Sequence, residues 1–176
     1  MLIGWDEAQA NFHQTAQRWN RVDEAQFHID YFSVPGIHGA MAAVRISPRQ
    51  GARAGTLLYL HGGGWVFGSI QTHLGAMARL AEVTGLSVVG VDYGMAPGAP
   101  FPQGLNDAVN AWRWLRAGAD TLGLSGPWLV SGDSAGANIA LSLMLDLKLL
   151  GEPLPDAALL FYGVYAADHQ TASHQQ

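Results

Sequence analysis

The sequence predicts an α/β fold, a doubly wound and mostly parallel sheet with helices on both faces. Two observations carry this. From residue 56 onward, short apolar runs alternate with longer stretches of helical periodicity, which is the pattern of successive βαβ units. Ahead of them, residues 26–34 and 41–46 alternate around Pro35-Gly36, as expected of an antiparallel pair lying at one edge of the sheet.

Each element follows from local pattern. Residues 5–19 set Trp5, Ala8, Phe12, Thr15, Ala16 and Trp19 at spacings of three and four, an amphipathic helix. The turn-rich stretch 47–55 leads into 56–60, an apolar run suited to a buried strand. A glycine loop at 61–64 precedes a helical pattern through Leu74, Met77, Ala78, Leu80 and Ala81 that stops near Gly85. Residues 87–91 are a second apolar strand, 97–102 a loop and 105–115 a helix. A third strand at 128–131 runs into a strongly apolar helix at 134–150, ended by Gly151. Residues 157–162 form a fourth strand, after which the chain turns polar. Ligands bind outside the carboxyl ends of strands in such sheets. The working surface is therefore expected at 61–64, 92–94, 132–136 and after Tyr162.

Composition narrows the function classes. Charged residues are 13% of the 176, apolar residues 49%, and there are 22 glycines. That excludes a disordered chain, which needs low hydrophobicity and high net charge. A net charge of −5 with one lysine, Lys148, leaves no basic footprint for nucleic acid. No cysteine means no disulfide framework and no thiolate chemistry. The 7 histidines form no HExxH pair and stand beside no carboxylate cluster, so neither metal nor cofactor is implied. The first residues, Met1 to Trp5, run straight into Asp6 and Glu7 without a basic region and apolar core. No run of about 18 apolar residues occurs. A soluble, cytoplasmic protein is expected.

The strongest chemical signal is Gly132-Asp133-Ser134-Ala135-Gly136. It follows a predicted strand and opens a predicted helix, the context in which G-x-S-x-G forms a nucleophile elbow. Side chains two residues either side of Ser134 would collide across so tight a turn, hence glycine at both places. The turn would lift Ser134 Oγ from the sheet and aim the Ala135 N–H and the helix N-terminus at developing negative charge. Taken alone, the pentapeptide also fits a plain glycine-rich turn that contains serine. The second signal is His61-Gly62-Gly63-Gly64-Trp65, directly after the first core strand. Three glycines let the backbone approach a ligand and turn its N–H groups toward it; alone, they also fit a flexible loop. One oxyanion donor is typically worth about 3–4 kcal/mol of transition-state stabilisation. His61 is expected to fix the loop by a hydrogen bond rather than to act as a base. Phosphate binding lacks its spacing: no Gly-Lys-Ser/Thr follows, and Phe67 stands where G-x-G-x-x-G needs glycine.

Together with Asp92-Tyr93-Gly94-Met95-Ala96-Pro97-Gly98-Ala99-Pro100-Phe101-Pro102, the two motifs stand in family order and spacing. From about residue 61 to 162 the chain resembles the hormone-sensitive lipase family of α/β-hydrolases, in its bacterial acetyl esterase and carboxylesterase branch. The resemblance implies Ser134 as acylated nucleophile, with the N–H groups of Gly62, Gly63 and Ala135 as oxyanion hole and Gly64 shaping the loop. It implies a cap helix region at 1–24, with Trp5, Phe12 and Trp19 over the acyl pocket. The same aromatic stripe is also what the buried face of any helix would show. A sheet core at 25–162 and a polar tail at 163–176 complete the division. Gly98 stands where the family usually has glutamate, a departure with no physical account.

A serine hydroxyl needs a base to take its proton, and this fold orders its triad Ser, then Asp or Glu, then His. Asp146 lies about 18 Å down the helix from Ser134 at 1.5 Å per residue. Glu152 and Asp156 lie before the last strand, at the wrong end of the sheet. Asp168 with His169 or His174 keeps the order at the correct end. In the family, however, acid and base come from two further strands, and Asp168 and His174 are expected to be solvated tail residues. The sheet is therefore expected to be truncated after the strand following the nucleophile helix, leaving 157–162 as an apolar edge open to association. A second chain or self-association is expected to complete it, and a lone, well-folded 18.8 kDa monomer would contradict this.

Two functions follow. The first is a serine carboxylesterase for short acyl esters, with Ser134 as nucleophile and acid and histidine from a missing C-terminal part. The second is an inactive fragment or pseudo-enzyme that associates with a partner. A nucleotide-binding α/β domain shares the fold logic but lacks the phosphate loop.

Overall fold

A computed structural model describes residues 4–166. Helix α1 (Trp5–Gln17) and a 3₁₀ turn (Glu24–Gln26) lead into strands β1 (Phe27–Gly36) and β2 (Gly39–Pro48). Strand β3 (Thr56–Leu60), helix α2 (Leu74–Thr84) and strand β4 (Ser87–Val91) follow. Helices α3 (Gln103–Ala117) and α4 (Ala119–Leu122), strand β5 (Trp128–Asp133), helix α5 (Ala135–Leu149) and strand β6 (Ala157–Phe161) complete it.

The sheet order is β1-β2-β4-β3-β5-β6. β1, β2 and β4 pair antiparallel, while β4, β3, β5 and β6 run parallel. The opening hairpin thus caps one edge, and β6 is the opposite edge among the described residues. β1 continues through Pro35-Gly36 and turns at residues 37–38, with Gly36 facing Gly39. Pro35 is tolerated because β1 is an edge strand that needs no second ladder of N–H donors.

Strict alternation in β3 divides the core. Leu57 and Tyr59 face α2 with Met77, Ala78 and Ala81, whereas Leu58 and Leu60 face α3 and α5 with Trp112, Leu115, Ile139 and Leu143. All five residues of β3 are buried, which is why its apolar run shows no polar face. α2 ends where Gly85 takes a left-handed φ of 77° and returns its N–H to Ala81 O at 2.8 Å, a glycine stop. The parallel register Tyr59↔Gly90, Leu60↔Gly132 and Asp133↔Phe161 brings the carboxyl ends of four strands level. Their loops form one surface. No described helix is long and apolar enough to cross a membrane.

Helix α1 departs from expectation. Phe12 stacks on Phe67 with ring centroids 5.5 Å apart, but Trp19 is 80% exposed and most of the helix faces outward. The stripe is not one buried face. The Trp5 side chain lies outside the described residues.

Candidate active site

Ser134 sits between β5 and α5 with φ 51° and ψ −117°, as the N-cap of α5. Its neighbours Asp133 and Ala135 are buried while Ser134 is half-exposed. Positive φ is rare for a residue with a Cβ and stores strain. The flanking glycines are what permit it. A Cβ on Gly132 would lie 2.5 Å from Gly136 C, and one on Gly136 would lie 2.0 Å from Leu60 O. Ser134 N–H donates to Phe161 O at 2.9 Å, so β6 fastens the turn. Ala135 N–H, at the first position of α5, has no intrahelical acceptor.

The glycine loop leaves β3 beside this turn. Gly62 packs so closely that a Cβ there would meet Asp133 Oδ2 at 2.2 Å, and Gly63 has φ 129°. The Gly62 N–H, expected among the oxyanion donors, instead donates to Asp133 Oδ1 at 2.9 Å. The Gly62 N–H is thus already engaged within the protein. The N–H groups of Gly63 and Gly64 make no hydrogen bond among the described residues.

Asp133 collects donors from several elements. Besides Gly62, Tyr59 Oη donates to Oδ1 at 2.6 Å and Tyr162 Oη to Oδ2 at 3.2 Å. His73 Nε2 stands 3.7 Å from Oδ1. Burial pushes the carboxyl pKa up, but His73, Tyr59 and Gly62 outweigh it and hold the group at about 2. Burial first, then the Asp133 charge, drives the Tyr59 phenol far up, so it stays a neutral donor.

His61 is 1% exposed. Its Nδ1 lies 2.9 Å from Gly62 O, consistent with donation from that nitrogen, and its ring stacks on Tyr93 at 4.4 Å. Burial lowers its pKa to about 4, so it is neutral near pH 7 and tied to the loop. Nε2 has no hydrogen-bond partner among the described residues; the nearest carboxylate oxygen, Asp92 Oδ1, is 4.0 Å away.

The carboxylates after Ser134 are placed as follows. Glu152 pairs with Arg113, whose Nε reaches Oε2 at 2.9 Å. Asp156 Oδ2 accepts from Trp128 N–H at 2.7 Å, at the amino end of β5. Both lie at the far end of the sheet from the site. Asp168, His169 and His174 lie outside the described residues. The described histidines, His13, His28, His38, His61 and His73, all precede Ser134. Among the described residues no cluster of three His, Cys, Asp or Glu could hold a metal ion.

A cavity of about 420 Å³ opens between the glycine loop and the first turns of α5, lined by Gly64, Trp65, Phe101, Leu105, Asn138 and Ile139. A larger, more open hollow of about 710 Å³ borders the β1–β2 turn and has no elbow residue in its wall. Two buried acids went unnoticed in the sequence. Asp107 accepts from Gly94 N–H at 2.9 Å and Gln103 Nε2 at 2.8 Å, pinning the loop after β4 to α3. Asp133 stands at a variable position of the G-x-S-x-G pattern, which assigns it no partner. The available signal was an acid at the end of an apolar strand in a chain with few charges.

Comparison with known proteins places this geometry. Residues 57–176 match a family model described as alpha/beta hydrolase fold. An acetyl esterase of Salmonella paratyphi A is 34% identical over 164 residues, covering 90% of this chain and 50% of the relative. An esterase of Pyrobaculum calidifontis superposes with a TM-score of 0.83 at 31% identity, over 92% of this chain and 53% of that one. An ester hydrolase from the metagenome of Lake Arreo, solved with a bipyridine phosphonate derivative, gives a TM-score of 0.90 at 27% identity, over 97% and 55%. The chain spans about half the length of the curated relatives it matches. With this match joined to its glycine loop and serine elbow, the chain belongs to the α/β-hydrolase fold family, in the branch similar to hormone-sensitive lipase.

Proposed function

We propose that the chain carries the nucleophile half of a serine carboxylesterase acting on short acyl esters. Ser134 Oγ attacks the ester carbonyl as a histidine takes its proton, and the electron pair moves onto the carbonyl oxygen. The N–H groups of Gly63, Gly64 and Ala135 donate to that oxyanion. Collapse of the tetrahedral intermediate breaks the bond to the alcohol, which leaves with the proton from the histidine. Water then attacks the acyl-enzyme in the same way and releases the acid.

The carrying observation is the conformation of Ser134, half-exposed at φ 51° between two glycines that nothing larger can replace. Unengaged loop amides beside it support the oxyanion role. The cavity of about 420 Å³ accepts the apolar arm of the ester. Preference for a short acyl group rests on the acetyl esterases among the relatives.

The acid and histidine come, in this reading, from a segment beyond the described residues that adds to the β6 edge. The exposed side chains there support it: Phe161 is 42% and Tyr162 78% exposed. They equally favour a second reading, in which the chain alone is inactive and associates with a partner. Asp168 and His174 are the candidates within the chain. Hydrolysis of p-nitrophenyl acetate tests the proposal. With acid and histidine present, Ser134→Ala is expected to lower turnover by about a thousandfold or more; unchanged turnover in Ser134→Ala would overturn it. Turnover of the 176-residue chain that disappears in His174→Ala would place the base in the tail.

A further inference from the structure

We propose that Asp133 is a positioning residue whose carboxylate ties the glycine loop to the nucleophile elbow, and so fixes which loop amides face the oxyanion. This deepens the esterase reading above and rests on it for its catalytic consequence. Asp133 immediately precedes Ser134 and is 9% exposed. An anion at that place opposes a developing oxyanion unless its own oxygens are saturated. They are saturated. Oδ1 accepts from Gly62 N–H and Tyr59 Oη, and Oδ2 from Tyr162 Oη.

The donors come from separate parts of the fold: β3, the glycine loop and the turn after β6. The carboxylate is the point where these parts meet the elbow. Gly62 must be glycine for the approach, since any Cβ would fall 2.2 Å from Oδ2. Engaging Gly62 N–H fixes the first peptide of the loop. The left-handed backbone of Gly63 and Gly64, at φ 129° and 63°, then carries the next two amides, which have no acceptor among the described residues. His73 at 3.7 Å adds a fourth polar neighbour from the head of α2. The depressed pKa agrees with an acceptor that stays ionised throughout.

The experiment reads the tether separately from the chemistry. Amide hydrogen exchange at Gly62, followed by NMR on the 176-residue chain, is expected to speed up at least tenfold in Asp133→Ala, with exchange in α5 and β2 unchanged. Asp133→Asn keeps an acceptor oxygen without the charge and is expected to stay within threefold of wild type. Unchanged Gly62 exchange in Asp133→Ala, or Asp133→Asn as fast as Asp133→Ala, would overturn the tether. Should Asp133→Ala fail to fold, Tyr59→Phe removes one donor and is expected to speed Gly62 exchange at least threefold; no change there overturns the proposal too.

Fluorophosphonate labelling of Ser134 supplies the catalytic arm. Asp133→Ala is expected to lower the maximal labelling rate at least tenfold while half-saturation stays within threefold, and Asp133→Asn to restore the rate. An unchanged maximal rate in Asp133→Ala would overturn the positioning role. With acid and histidine present, absence of label on wild-type Ser134 with the exchange results intact would overturn the esterase reading and leave the tether standing.

Discussion

At Ser134 the backbone holds a conformation costing about 1–3 kcal/mol, maintained by Ser134 N–H donating to Phe161 O at 2.9 Å and by the close approach of Leu60 to Gly136. The motif was legible because its glycines are a local requirement, written within five residues. The engagement of Gly62 was not, because its acceptor lies 71 residues away and leaves no periodic trace. His61 makes a second residue-scale point. Burial lowers its pKa to about 4 in the folded chain against an ordinary 6.5, so between those values the unfolded chain binds a proton that the folded chain does not. Its contribution is complete above about pH 6.5 and is lost as the pH falls toward 4, by roughly 3 kcal/mol. Urea unfolding at pH 7.5 and pH 4.5 checks this. His61→Gln is expected to show a smaller acid loss than wild type, and an equal loss would contradict the burial of a neutral imidazole.

Among the elements, β3 and β4 have the bounds that their apolar runs predicted, 56–60 and 87–91. Others run longer. β5 continues through Gly132 and Asp133 because both still pair with neighbouring strands, so glycine there marks close packing rather than a strand end. α3 begins at Gln103, ahead of the apolar periodicity. The four-residue α4 is too short to show a period at all. The junction of β5 with α5 carries the element-scale prediction. A methyl on Gly136 would sit 2.0 Å from Leu60 O and 2.5 Å from His61 O, both backbone atoms that cannot swing aside. Gly136→Ala is expected to cost about 3 kcal/mol or more by chemical denaturation, the upper range for overpacking. Gly98→Ala, whose nearest neighbour would be Met95 O at 3.9 Å, is expected to stay within about 0.5 kcal/mol. Equal effects would contradict the packing described for the elbow.

On the scale of the molecule, the doubly wound sheet was legible from the alternation of elements, because each βαβ crossover imposes its own pattern on the chain. The exposed position of Trp19 was not, since helical spacing predicts a face without saying what covers it. Among the described residues the sheet has two unlike edges, the long strand β1 ending in Pro35-Gly36 and the short apolar β6. The chain spans about half the length of its curated relatives, and Ser134 and the glycine loop both lie within the matched part. Labelling the protein with a fluorophosphonate and mapping the adduct by peptide mass spectrometry is the most direct test of Ser134 as nucleophile. The expected result is one adduct on the peptide containing Ser134, absent from Ser134→Ala. With acid and histidine present, a folded protein that takes the label at another residue, or takes none at Ser134, would contradict it.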